Sequence, residues 1–360
     1  MMNNNNVSST VKNMPIPIWR ISALVLSISI TTSAMAQEDN FPDDPIRIGF
    51  AAHSIDLGAI FGQLREGFRN HLDEAGLEYE FYQAAPDTPS SHAQMVQNLE
   101  NFATQDLDYV LMGPTSLDLN EPGLNSIAES GAKLLMTDYE RPEGGVPYDE
   151  AVLNWVVYSH DEMGYKTGDW LMHHFRGQGN FEPRIVMLWG PADSEISEAR
   201  GGGVKKAFDE AEDMTVDIVY ETYADFDRDL AYTQTERALA AYDFDAIVAL
   251  NSYMSVSASS ALMANGREPG EIVVAGMGGT IAELEGVALG EIGVAPFRDP
   301  RSMGRASAEA LLQHLTGNEA DIDKTVYATI PVTESVYSIS QHVPEAMFDV
   351  NAFLHEHFNR

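Results

Sequence analysis

The chain contains no cysteine, which excludes disulfides, thiolate metal sites and cysteine nucleophiles and leaves stability to packing alone. Basic residues are scarce: 21 Lys and Arg face 55 Asp and Glu, a formal net charge of −34 at pH 7 over 360 residues. Such a surface repels nucleic acid and anionic lipid, so no nucleic-acid partner is expected, and it needs salt to screen its own repulsion. Acidity does not identify a ligand. Catalytic and cofactor signatures are also missing. His173 and His174 are adjacent, so they point to different faces of a helix and form no spaced metal pair. Gly201-Gly202-Gly203 is not followed by Lys-Ser/Thr at phosphate-loop spacing, and Gly276-Met277-Gly278-Gly279 lacks the third glycine of a dinucleotide fingerprint. No Gly-x-Ser-x-Gly elbow occurs. Neither a catalytic residue, a cofactor nor a metal is implied, and no enzyme activity is expected.

What is present begins at the N-terminus. Lys12 and Arg20 stand without an acid, followed by a short apolar run from Ile21 to Ile30 and then Ala34-Met35-Ala36 before Gln37. A basic region, a short apolar core and small residues at a cleavage point describe a secretory signal peptide over residues 1–36. The core is too short to span a bilayer. Removing this leader takes away Lys12 and Arg20 and no acid, so the charge moves from −34 to −36. An exported, soluble chain is expected, with an acidic linker over residues 37–45.

From Ile46 onward, short apolar runs alternate with amphipathic stretches, the pattern of α/β architecture with parallel sheets. Strands are expected at Ile46–Ala52, Tyr79–Gln83, Tyr109–Met112, Lys133–Thr137 and Val152–Tyr158, with helices at about 60–75, 91–102 and 161–175. A second set follows: strands at Arg184–Trp189, Val216–Tyr223, Ala246–Leu250, Ile272–Met277 and Ile292–Phe297, helices at 196–212, 227–242, 254–265 and 300–315, and further strands within 325–339. Two successive βα sets imply two Rossmann-like lobes with a cleft between them, and ligands of such sheets bind beyond the carboxyl ends of the strands.

Polar residues cluster at those ends. His53 and Asp56, Asp138, Arg200, Phe226, Asn251, the Gly278 turn and Arg298 each lie just past a strand or open the next helix. Arg200 occupies the centre of WGPADSEISEARGGGV (Trp189–Val204), in which the Gly run is expected to open a helix. Carboxylate, amide and guanidinium groups among aromatic rings suit a polyhydroxylated ligand, whose hydroxyls donate and accept while its C–H faces stack on rings. Singly, each has a plainer explanation: Asp56 and Asp138 could cap helices or turns, Arg200 could pair on the surface, and Asn251 could be a turn residue.

With these residues in place the chain resembles sugar-binding receptors of the ribose-binding type, the type I periplasmic binding proteins that serve ABC importers. The resemblance covers about 45–340 and rests on ADFDR (Ala224–Arg228), SEARGGGV (Ser197–Val204), ALNSYMSVSASSAL (Ala249–Leu262) and VVAGMGGT (Val273–Thr280). It implies that Phe61 and Phe226 stack on a sugar ring from opposite lobes and that Asp138, Arg200 and Asn251 bond its hydroxyls. Arg298 would make a polar contact near the hinge. It also implies three crossovers near Val156, Arg298 and Ala328, with lobes made of 46–156 plus 299–328 and of 157–298 plus 329–360. Gly278, Ser252 and Tyr139 stand where many members carry an acid or a base, so a sugar or polyol other than ribose is expected. The implied partner is an ABC permease. A narrower resemblance, in ISEARGG (Ile196–Gly202), GMGGTIAEL (Gly276–Leu284) and Arg298, is to the autoinducer-2 receptor, whose partner would be the periplasmic domain of a sensor kinase. Asp138 argues against an anionic ligand of that kind.

Overall fold

A computed structural model describes residues 41–42, 44–55, 60–88 and 91–358. The expected leader, most of the linker and Asp56 lie outside the described residues. In chain order the elements open with β1 (Ile46–Ala51), α1 (Ile60–Glu74), β2 (Tyr79–Ala84), α2 (His92–Ala103), β3 (Tyr109–Met112), α3 (Leu117–Ser130), β4 (Lys133–Thr137) and β5 (Val152–Val157). There follow α4 (His160–Gln178), β6 (Arg184–Trp189), α5 (Glu195–Glu210), β7 (Asp217–Tyr223), α6 (Arg228–Ala241), β8 (Ala246–Ala249), α7 (Ser252–Ala264), β9 (Val273–Ala275), α8 (Ile281–Leu289) and β10 (Ala295–Pro296). The chain closes with α9 (Pro300–Leu315), β11 (Thr325–Tyr327), β12 (Val332–Thr333), α10 (Val336–His342) and α11 (Val350–Phe358).

The strands form a six-stranded sheet in the order β11-β5-β4-β3-β1-β2, whose pairs are all parallel, and a four-stranded parallel sheet in the order β7-β6-β8-β9. An antiparallel pair, β10 with β12, is tied to the smaller sheet through bridges from Ala275 to Val294 and from Gly278 to Phe297. Helices cover both faces of a parallel sheet, so its inner strands read as continuous apolar runs. YVLM of β3 and AIVA of β8 are buried at every position. The chain passes between the sheets after β5, again between β10 and α9, and a third time between β11 and β12.

Two helix pairs, α4 with α5 and α1 with α9, pack backbone against backbone. A side chain at Gly164 would run into the Arg200 carbonyl, and one at Gly203 into the Asp161 carbonyl. Gly67 likewise faces the Arg301 carbonyl and Gly304 the Leu64 carbonyl. The Gly run after Arg200 therefore does not open a helix. It lies inside α5, where Gly203 lets α4 approach and Gly201 accommodates the Trp189 ring.

Four elements differ from the sequence expectation. The segment that becomes α3 carries Asn120, Pro122 and Gly123, all poor helix formers. It folds because Ser116 caps it, Leu124 and Ile127 are buried, and Gly123 admits the Leu99 side chain. Residues 281–289, unassigned from sequence, form α8 behind its Thr280 cap. Val336–Ile339 was expected within a strand region and is helical, because Ser335 and Ser338 close a capping box. α11 also went unassigned.

Candidate functional site

The carboxyl ends of the parallel strands converge on a cleft of about 630 Å³ of empty space, part of it open to solvent. Phe61, Asp138, Arg200, Phe226, Asn251 and Arg298 all line it, together with His53, Ile196, Ser252, Tyr253, Met277, Gly278 and Thr280. Of the residues singled out by sequence, Asp56 alone lies outside the described residues.

The aromatic walls use the same construction twice. Phe61, in the first turn of α1, lays its ring where a side chain on Gly113 would stand, just past β3. Phe226 does the same over Gly190, just past β6. Phe226 has φ of 57° and Asp225 before it 52°, a left-handed conformation that is costly for a bulky residue and concentrates at functional sites. Asn251 helps to hold it. Its Nδ2 donates to the Phe226 carbonyl at 3.3 Å while its Oδ1 caps α7 through the Met254 amide at 2.8 Å. Asn251 is thus a helix cap, more than the turn residue of the plainer explanation, and also a brace for an aromatic wall.

The polar floor is a buried network. Asp138 follows β4 at φ 73° and is ion-paired with Arg298, which follows β10. Neither is a surface pair, since Asp138 is 2% and Arg298 6% exposed. Arg200, on the second turn of α5 and not in the preceding loop, donates Nη1 to the Leu250 carbonyl at 2.7 Å and Nε to His160 Nδ1 at 3.2 Å. His160 must therefore carry its proton on Nε2, which donates to the Asp138 carbonyl at 2.6 Å. Burial, reinforced by Arg200, lowers His160 to about 3, so the ring is neutral. Burial also pushes the Asp138 carboxyl up, but the Arg298 and Arg200 guanidiniums outweigh it and hold Asp138 at about 2. Burial and the nearby Arg298 lower Arg200 to about 9, still charged at neutral pH. Arg298 Nε is buried without a hydrogen-bond partner among the described residues.

Sequence reading missed two members of this network. His160 opens α4 right after the β5 crossover, so its place beyond a strand end was a usable signal. Glu283 sits three residues after Thr280, the spacing of a capping box. Outside the cleft lining, Ser116 Oγ donates to Glu195 Oε1 at 3.0 Å, and His92 Nε2 lies 3.5 Å from Asp193 Oδ2. These contacts join α2 and α3 of the larger-sheet lobe to the start of α5 in the other.

A family model described as "Periplasmic binding protein domain" matches residues 48–319. The chain belongs to the periplasmic binding protein family. A Rhizobium meliloti protein named for rhizopine binding is 24% identical over 295 residues, 78% of this chain and 91% of its own. Among solved structures, an ABC transporter periplasmic solute binding protein of Actinobacillus succinogenes 130z with bound D-allose superposes with a TM-score of 0.71 at 20% identity, over 82% of this chain and 100% of the other. An ABC transporter solute binding protein of Bacillus halodurans C-125 with bound myo-inositol gives 0.66 at 22% identity, over 81% and 94%. At these identities the structures speak for the fold, the type I periplasmic binding protein architecture of two lobes joined by three crossovers.

Proposed function

We propose that this periplasmic binding protein is an exported receptor that closes on one uncharged sugar or polyol and presents it to an ABC permease. The observation that carries the reading is the cleft itself. Two aromatic rings, one from each lobe, line the same space as buried donors and an acceptor, of which Arg298 and Asp138 are already paired. Ring faces suit the C–H face of a sugar, and fixed polar groups suit its hydroxyls. The ligands named in the related proteins, D-allose and myo-inositol, have the same chemistry.

In this reading Phe61 and Phe226 stack on the ligand, and Arg200, Arg298, Asp138 and Asn251 bond its hydroxyls. The strand crossings near Val156, Arg298 and Ala328 act as the hinge between lobes of 46–156 plus 299–328 and 157–298 plus 329–360. Ligand selects the closed form, which the permease recognises. An anionic signal such as a borate diester is disfavoured, because the Asp138 carboxylate already pairs with Arg298.

The test is thermal unfolding of residues 37–360 against pentoses, hexoses, polyols and autoinducer-2 with borate. Ligand at about 100 times its Kd adds roughly 2.7 kcal/mol of stability. A shift with a neutral sugar or polyol is expected. A shift confined to the borate adduct would overturn the reading in favour of a signal receptor.

A further inference from the structure

Glu283 is fully buried on α8, behind the cleft wall. It makes no ion pair among the described residues. Its Oε2 accepts from Ser252 Oγ at 2.6 Å and from the Gly279 amide at 2.7 Å, and its Oε1 accepts from Ser255 Oγ at 2.5 Å. Ser252 Oγ in turn accepts from the Thr280 amide at 3.4 Å. Ser252, Gly278 and Thr280 all line the cleft, so one carboxylate holds the whole polar edge of that wall. The surrounding sequence makes room for it. A side chain at Gly276 would run into Glu283 Oε1, and one at Gly278 would come within 2.6 Å of Ser252 Oγ. Gly276 and Gly278 of the GMGG run thus have a spatial reason.

The electrostatic count around the cleft gives Glu283 a second role. Arg200 and Arg298 are buried cations and Asp138 is one buried anion, while the neutral His160 adds nothing. Glu283 is the second buried anion of the network, and its field reaches Arg200. Burial pushes its carboxyl up, while the Ser252 and Ser255 hydroxyls, the Gly279 amide and Arg200 pull it back down.

We propose that Glu283 is a positioning residue of the binding site: it fixes the Gly278–Thr280 turn and the Ser252 hydroxyl, and it completes the charge balance that makes the cleft select an uncharged ligand. The second half of this inference rests on the sugar or polyol reading above.

The experiment has two arms, both comparing wild type with Glu283→Gln. In the first, without ligand, hydrogen exchange is followed by mass spectrometry over residues 276–283. The Gly279 and Thr280 amides should exchange at least tenfold faster in the variant, and unchanged exchange would overturn the positioning role. If Glu283→Gln does not fold, Ser252→Ala replaces it, since it removes the oxygen that accepts from the Thr280 amide. Faster exchange at Thr280 then supports the role and unchanged exchange overturns it.

In the second arm, D-allose and myo-inositol serve as neutral probes and D-glucuronate and D-galacturonate as anionic ones. Glu283→Gln should bind a uronate at least tenfold more tightly than wild type does, while the neutral probes weaken or stay level. A purely structural role would weaken both classes alike, so the absence of any uronate gain would overturn the charge-balance role. Failure of the sugar reading shows separately, as wild type that binds no neutral probe, and leaves both comparisons with the variant readable.

Discussion

At the scale of single residues, the site depends on groups that are buried and already bonded to one another. Arg200→Ala would leave the Leu250 carbonyl and His160 Nδ1 without their donor as well as removing the proposed ligand contact. Each buried polar group left unpaired costs about 1–3 kcal/mol. Ligand affinity should therefore fall at least about 100-fold, about 2.7 kcal/mol, in calorimetry with whichever ligand gives the thermal shift. An affinity within twofold of wild type would remove Arg200 from the site. The pH dependence has a defined sign. His160 titrates at about 3 in the folded chain against about 6.5 unfolded. The unfolded chain therefore takes up the proton first, and stability is lost as pH falls from about 6.5 toward 3. Asp138, held at about 2 against about 3.9 unfolded, adds a loss in the same direction below about pH 4. Melting temperature should drop between pH 7 and pH 5 less steeply in His160→Gln than in wild type, and an identical slope would show that His160 is not the group responsible. The chemistry of this site was legible in the sequence because Asp138, Asn251 and Arg298 follow strand ends. Its wiring was not: that Arg298 pairs with Asp138, 160 positions earlier, depends on strand order, which no local pattern carries.

At the scale of elements, the reciprocal glycines decide where the site's helices sit. Gly164 presses on the backbone of Arg200 itself, so α4 sets the depth of the guanidinium in the cleft. Gly164→Ala should push α5 away at an overpacking cost of about 1–3 kcal/mol, lowering the melting temperature and the ligand affinity together. Gly177→Ala, on the same helix but with nothing near the added carbon, should instead be neutral or stabilising by up to about 1 kcal/mol. Equal effects at both positions would mean that helix propensity, not contact, controls the pair. Short apolar runs made β1, β3, β4 and β6 readable almost to the residue. α3 escaped because tertiary contacts override the poor propensity of Asn120, Pro122 and Gly123, and α10 because its serine cap outweighs the β-branched residues Val336 and Ile339.

At the scale of the whole molecule, the net charge of −34 is spread over a surface whose ion pairs are mostly exposed and so contribute little. Repulsion between these charges is screened over about 10 Å at 0.1 M salt and about 3 Å at 1 M. Melting temperature should therefore rise between these salt concentrations, with sodium chloride as the probe, and a fall would indicate that attractive surface pairs dominate. Parallel α/β architecture and two lobes were legible because every inner strand announces itself as an apolar run between helices. The facing of the lobes was not, since the contacts between them join residues about 80 to 100 positions apart. Those contacts, Ser116 to Glu195 and His92 to Asp193, bear on time as much as on affinity. In the proposed receptor a captured molecule leaves faster the more easily these contacts part, so they act on its residence, while the rate of capture is left to the open form.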